Sequence, residues 1–497
     1  MLKRTFLRRR NRQAGNRDSG LHGASTPSHT PRNAARSAGT LIGGTVMAQI
    51  LTTAISPILT RVYTPSDFGK LAIFTAMLSL LTVAAAGRYE LAIPLSEDDR
   101  EASQVFLLAF IITLITSIAC VLAVILLSDR IESLLGPLGT NRYLFVLPIG
   151  VMAVSSFAIM EKWAIRRQAF VPIAKSKVGQ TLGTIAVQIG GSGYGFIALI
   201  GGLVAGQAVG ITRLGSIARK SVNTGGFSWH EVKRVAKRYK NFPLYSVWIA
   251  LLNTGSLQFA PLFLAGLFGA SAVGLYALTL RVLALPATVI GNAVGSVMLA
   301  RAPEVHRQGR LKDLVGRMHA TLAATGAPAL VLMLVAGPDL FALVFGETWR
   351  EAGRYAQWMA PWMYFQFQWS PLSMLTIVLE LQRGELVAQI CGFAIRLSTL
   401  LVCSWMGLSV GKSIASFALA SATVYACIVL WVLLKSGVAL REIVSSDISA
   451  IGKFSGLCAP AIVLYLIDVD ARLNLISAIW FGICTLAWYL RLKRSTF

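Results

Sequence analysis

Along this chain, long apolar stretches alternate with short polar breaks. From residue 38 onward the apolar stretches recur at roughly 20 residues, the length that carries a helix across about 30 Å of hydrocarbon. Fourteen spans are expected, at about 38–60, 68–95, 104–127, 143–161, 173–190, 195–212, 242–267, 273–300, 319–345, 357–379, 386–406, 411–434, 450–467 and 473–490. The pair at 173–190 and 195–212 is short and glycine-rich, joined by Gly190-Gly191-Ser192-Gly193.

The sharpest local signal separates the first two spans. Thr64-Pro65-Ser66-Asp67 is a helix start. Thr64 can cap, Pro65 suits the first helical position, and Asp67 meets the free amides of the first turn. A weak internal repeat begins just before it. PILTRVYTPSDFGKLA (57–72) lies over PLFLAGLFGASAVGLYA (261–277) with one gap, matching Pro57 to Pro261, Gly69 to Gly274 and Ala72 to Ala277. The offset pairs spans 1 and 2 with spans 7 and 8, so two six-span halves arranged around a midplane site are expected.

Composition agrees with a membrane protein. The 497 residues are 55% hydrophobic and 14% charged, with a mean hydropathy of +0.64; a soluble domain carries roughly 25% charged residues. The net charge of +24 would point to nucleic acid in a soluble protein. Here it follows from where the cations sit. With the N-terminus placed in the cytoplasm, 36 of the 46 Lys/Arg fall on that side, 8 fall on the other, and Arg281 and Arg396 lie within spans. Such a bias puts both termini in the cytoplasm, and no nucleic-acid partner is expected.

Residues 1–37 hold nine Lys/Arg and no apolar period, so a disordered basic arm against anionic lipid is expected. No short apolar stretch with a small-residue cleavage site follows directly, so the arm is not read as a signal peptide. The rest divides into a first lobe (38–240), a second lobe (241–435) and a final pair of spans with the tail (436–497). The basic stretch around 213–241 can form an amphipathic surface helix.

Enzyme chemistry finds no support. The chain has no phosphate-cradling Gly-rich loop ending in Lys-Ser/Thr and no GxSxG. Its six cysteines lie singly in apolar segments and its five histidines in the arm or at loop edges, so neither a metal, a cofactor nor a disulfide framework is expected.

The candidate chemistry is polarity at depth. Arg281 in span 8 and Arg396 in span 11 are ionisable groups inside spans, where charge is costly and faces a cavity or a partner. The alternatives are an arginine that snorkels to the interface or one bonded to a neighbouring carbonyl. Arg61 closes span 1, as a ligand or an interface anchor. Gln49, Thr53, Ser56 and Thr60, spaced by 4, 3 and 4, share one helical face that would line a cavity or pack against another helix. Asn253 in span 7, Asn292 in span 8, and Gln180 and Gln188 in span 5 add polar groups. The run PWMYFQFQW (361–369) reads as an interfacial aromatic belt. No Asp or Glu sits at a span centre. Buried arginines without buried acids suit an anionic substrate, phosphate above all.

At LTRVYTPSDFG and GRYELAIPLSEDDREA the chain resembles the polysaccharide-transport branch of the multidrug/oligosaccharidyl-lipid/polysaccharide exporter superfamily, the O-antigen (Wzx-type) flippases. The resemblance is strongest over 40–115 and fits the span layout over 38–490. It implies an all-α fold of about fourteen transmembrane helices, with two six-helix lobes about a central cavity and two further C-terminal helices. It also implies a polyprenyl-pyrophosphate-linked oligosaccharide moved across the bacterial cytoplasmic membrane, an ion gradient as the energy source, and a glycan polymerase and assembly proteins as further partners. The basic arm is longer than the short N-terminus usual there, which bears on where translation starts. Under this resemblance Arg281, then Arg61 and Arg396, would meet the pyrophosphate, and Gln49, Thr53, Ser56, Asn253 and Asn292 would line the sugar path. A multidrug or small-solute antiporter of the same superfamily and a non-transporting scaffold for glycan assembly are the alternatives.

Overall fold

The computed structural model describes residues 31–135, 144–222, 228–287, 291, 305, 307–466, 480–485 and 487–491. The described elements are helices joined by short turns. Helices satisfy every interior backbone donor and acceptor within one segment, as a hydrocarbon solvent requires. Helices α1 (Pro31–Ala54) and α2 (Ser56–Val62) form the first span, offset at Ile55 just before Pro57. Helix α3 (Pro65–Ala85) starts with the expected capping box. Thr64 N–H donates to Asp67 Oδ2 at 3.0 Å, and Asp67 N–H donates back to Thr64 Oγ1 at 3.2 Å. Helices α4 (Asp99–Leu135), α5 (Val146–Arg166), α6 (Phe170–Gly190) and α7 (Phe196–Ser221) complete the first lobe.

A short amphipathic helix, α8 (Trp229–Arg238), leads to the second lobe. It buries Val232 and Val235 and exposes Lys233, Arg234 and Lys237. Its Arg238 pairs with Glu97 and Glu101, and its Glu231 with Arg100, which pins it beneath the turn after α3. Helix α9 (Val247–Leu283) breaks at Gly269, whose φ of 78° only glycine adopts readily, and so forms two arms. Then follow α10 (Leu311–Phe345), α11 (Arg350–Leu372), α12 (Met374–Val378), α13 (Gln382–Trp405), α14 (Val410–Lys435), α15 (Leu440–Leu457) and α16 (Ala459–Leu466). Helical turns continue within 480–491.

Among the described residues, nine stretches are long and apolar enough to cross a membrane, counting 242–283 as one. The break at Gly269 makes that one two passes. The other expected spans correspond to α6, α11 and α15 with α16, and the last one, at about 473–490, lies partly outside the described residues. They take their places by packing: α6 on α7, α11 on α10 and α14, and α15 on α10.

The packing repeats from lobe to lobe. Helix α4 lies on α5 as α10 lies on α11, α5 on α7 as α11 on α14, and α6 on α7 as α13 on α14. The lobes meet most extensively where α3 crosses the second arm of α9. There Gly69 and Gly274, matched in the repeat, oppose one another. A Cβ on Gly69 would overlap the Ala270 carbonyl, and a Cβ on Gly274 would overlap the Pro65 carbonyl. The contact is reciprocal, as an approximate two-fold axis between the halves demands. Backbone touches backbone, so this end of the bundle is closed.

PWMYFQFQW is not a peripheral belt: Trp362, Met363, Tyr364, Phe367 and Trp369 are buried. Helix α11 runs through the second lobe with neighbours on both sides, so its aromatic face is core.

Candidate functional site

The first lobe holds a cavity of about 310 Å³. Thr52, Ile55 and Leu59 from α1 and α2 form one wall, and Phe68, Leu71 and Thr75 from α3 the next. Helix α6 supplies Gln180, Thr184 and Gln188, α7 supplies Gln207, and the second arm of α9 brings Arg281 across from the other lobe.

The polar wall follows from helical spacing. Gln180, Thr184 and Gln188 stand four apart and share one face of α6. Opposite them α7 carries Gly202, Gly206 and Gly210 at the same spacing. A Cβ on Gly202 would lie 2.7 Å from Gln188 Cγ, one on Gly206 would overlap Thr184 Oγ1, and one on Gly210 would overlap the Gln180 amide. The glycines thus make room for three polar side chains between closely packed helices, as small residues do in membranes. Gln180 Nε2 donates to Gln207 Oε1 at 3.0 Å and Gln188 Nε2 to the Leu199 carbonyl at 3.1 Å. Tyr63 O–H donates to the Gln188 carbonyl and ties α6 to the end of the first span.

Arg281 is the charge of this cavity. Its Cζ lies 5.9 Å from the centre of the Phe68 ring. Among the described residues, no carboxylate lines the cavity and none forms an ion pair with Arg281. The acid nearest in sequence to the α3 wall, Asp67, is engaged in its cap. Arg281 stands about 10 Å beyond the Gly69–Gly274 crossing at 1.5 Å per residue. A cation at that depth without a counter-charge is costly until an anion arrives.

The other expected site residues fall in different places. Gln49, Thr53 and Ser56 do not line the cavity; the wall from this span is the adjacent face with Thr52, Ile55 and Leu59. The Thr53 hydroxyl donates to the Gln49 carbonyl, Ser56 to Thr52, and Thr60 to Pro57, so these hydroxyls bond to their own helix. Arg61 is exposed in the last turn of α2, and Asn253 is exposed on the first arm of α9. Asn292 lies outside the described residues. Arg396 lies in the second lobe, its Cζ 5.0 Å from the Tyr425 ring centre. Its Nε and Nη2 are buried without a hydrogen-bond partner. Of the polar groups expected from the sequence, the structure therefore brings Arg281, Gln180 and Gln188 to this cavity. Thr75, Thr184 and Gln207 join them without having been singled out; the four-residue spacing from Gln180 through Thr184 to Gln188 was the signal available.

The family profile described as polysaccharide biosynthesis protein matches residues 58–354. No curated protein matches the sequence. Among solved structures the fold is similar to one described as the lipid II flippase MurJ in an inward closed conformation. The TM-score is 0.67 at 14% identity, over 92% of this chain and 99% of that one. It is also similar to an inward-facing multidrug resistance MATE family transporter of the MOP superfamily, with a TM-score of 0.59 at 12% identity, over 80% of this chain and 98% of that one. At these identities the likeness is one of fold. The matched profile covers more than half of the sequence, and the chain belongs to the polysaccharide biosynthesis protein family.

Proposed function

We infer that the chain is a flippase which moves a polyprenyl-pyrophosphate-linked oligosaccharide across the bacterial cytoplasmic membrane by alternating access, and that it is not an enzyme. The observation that carries this reading is Arg281, a cation at depth, without an acidic partner, in a cavity whose other polar groups are hydroxyls and amides. Guanidinium suits phosphate through paired, charged hydrogen bonds, and hydroxyl and amide groups suit sugar. A lipid-linked substrate fits a family described by polysaccharide biosynthesis and a fold shared with a protein described as a lipid II flippase.

In this reading the basic end of the bundle, with α8, faces the cytoplasm, and the Gly69–Gly274 crossing is the closed outer side. The lobes, at 38–240 and 241–435, rock about the cavity, and 436–497 lies outside them. The polyprenyl chain remains in lipid. Arg396 and Arg61 belong to later stages of the path, when the lobes have moved. A cationic-drug antiporter gains no support here, because no acid lines the cavity among the described residues. The test is Arg281→Ala, which should abolish surface glycan while protein level stays unchanged; normal glycan in that variant removes Arg281 from the site.

A further inference from the structure

On the outer face of the second lobe, α13 and α14 leave a groove of about 740 Å³ between them. Ala388, Cys391 and Ile395 share one face of α13, and Val424, Cys427 and Trp431 share one face of α14, each set at helical spacing. The helices are drawn together beneath it. A Cβ on Gly392 would lie 2.6 Å from Val424 Cγ1, and one on Gly384 would lie 2.5 Å from the Trp431 ring. Small side chains beside these contacts leave the furrow open. Val387, Ile395 and both thiols are exposed along it, so this face is turned to lipid.

The first lobe carries a similar apolar groove of about 510 Å³ between α4 and α5, with Ile118 and Ile149 exposed in it and no charged residue in its lining. The groove of the second lobe differs at one end, where Arg383 lines it. Arg383 stands exposed in the first turn of α13 and forms no ion pair among the described residues. Lys435, one turn beyond Trp431 on α14, is a second exposed cation at that end. Of the two acids nearest in sequence, Glu385 accepts a hydrogen bond from Thr376 Oγ1 at 2.7 Å and is thereby turned to α12, and Glu380 is exposed in the turn before α13.

Depth selects the occupant. From Arg383 to Ile395 the groove follows α13 for about 18 Å at 1.5 Å per residue. A hydrocarbon core of about 30 Å is therefore entered from one interface and crossed to just beyond its middle, the reach of one leaflet. A crossing helix from a second copy needs about 20 residues and would outrun the groove, as would a polyprenyl chain. One acyl chain of a phospholipid fits this length. Its phosphate then lies at the level of Arg383, whose guanidinium makes paired, charged hydrogen bonds to phosphate.

We propose that this groove binds one anionic phospholipid, its phosphate on Arg383 and one acyl chain along the seam between α13 and α14. The leaflet is the one at the α8 end of the bundle, which is cytoplasmic in the orientation given above. The site is separate from the Arg281 cavity and from the Gly69–Gly274 crossing, and it belongs to the second lobe alone.

The test uses the full chain in nanodiscs made mainly of phosphatidylethanolamine. A trace of phosphatidylglycerol carries a diazirine midway along one acyl chain, and its photo-adducts are mapped by peptide mass. The proposal predicts adducts on 387–395 and 420–431 that excess unlabelled phosphatidylglycerol displaces and further phosphatidylethanolamine does not. Arg383→Gln should lower these adducts about five-fold or more, while those on the uncharged groove of the first lobe stay unchanged. Where that variant fails to accumulate, Thr423→Phe fills the groove and must lower the adducts as well. Equal labelling by a phosphatidylethanolamine probe, adducts indifferent to both substitutions, or displacement by polyprenyl phosphate ahead of phosphatidylglycerol overturns the proposal. So does a disulfide between Cys391 of two copies that forms at the expense of the adducts. No transport is measured, so the outcome is separate from that of the flippase reading.

Discussion

The indole N–H of Trp349, in the turn between α10 and α11, donates to the backbone carbonyl of Thr60 in the first span at 2.9 Å. The donor belongs to one lobe and the acceptor to the other. Trp349 is fully buried, and its ring meets Phe68 edge-on at 5.0 Å. Phe68 in turn lies against Arg281. The latch that closes this end of the bundle is thus two contacts away from the cation of the cavity, and opening the latch must disturb the cavity wall.

Trp349→Phe removes the donor and keeps the ring. The Thr60 carbonyl then loses its partner, at about 1–3 kcal/mol in a buried setting, enough for a five-fold or larger shift between closed and open forms. Alkylation of a cysteine at position 60 should rise by that factor, in a background where the exposed native thiols Cys391 and Cys427 are serine. An unchanged rate would show that the indole bond does not hold this end shut.

Gly274→Ala places a methyl group on the Pro65 carbonyl, and Gly69→Ala does the same to Ala270. Neither neighbour can yield, because each is helix backbone. Both variants should lose the closed form and most export while still inserting in the membrane, and the double variant should be no worse than either alone, since one crossing is broken in each case. Additive losses, with retained closure in each single variant, would contradict the reciprocal contact.

Gly206→Val drives a branched side chain into Thr184 and the carbonyl of Gln180. Overpacking of this kind costs about 1–3 kcal/mol or more. Thermal unfolding in detergent should fall accordingly, and Thr184→Ala should recover part of the loss by returning space. Failure of the second substitution to restore any stability would separate the glycine stripe from the polar face of α6.

The turn that carries Trp349 has its own acid–base signature. Arg350 binds both Glu347 and Asp339, and the hydrogen bond from Arg350 holds the Glu347 carboxyl below its usual 4.5. A depressed carboxyl contributes stability above the ordinary value and loses it as pH falls through the lower, folded one. The Glu347 signal, assigned by Glu347→Gln in a carboxyl-detected titration, should therefore protonate at a lower pH than a free glutamate. In Arg350→Gln it should return upward. Equal midpoints with and without Arg350 would contradict this.

Much of this architecture was legible in particular residues. The Thr64–Asp67 cap is local chemistry and stands where the spacing put it. The match of Gly69 to Gly274 was visible as a weak repeat, but only packing reveals that the matched glycines touch. The polar face of the first span was misplaced by one position. Its periodicity was correct, yet threonine and serine hydroxyls can bond to their own helix carbonyls and so need no cavity. Arg281 was legible because a charge inside a span has few uses. The approach of His319 on α10 to Asp447 on α15, at 3.5 Å, was not, because the two stand 128 residues apart and near span edges, where charge is ordinary.

The central claim is that this cavity passes a lipid-linked anionic saccharide, and the leaflet distribution of polyprenyl-linked sugar tests it most directly. The measurement compares a deletion strain carrying the wild-type gene with one carrying the Arg281→Ala variant at equal protein level. The account predicts an outer-leaflet pool in the first and accumulation on the cytoplasmic side in the second. The same distribution in both strains, and in the deletion itself where no redundant flippase exists, would contradict it.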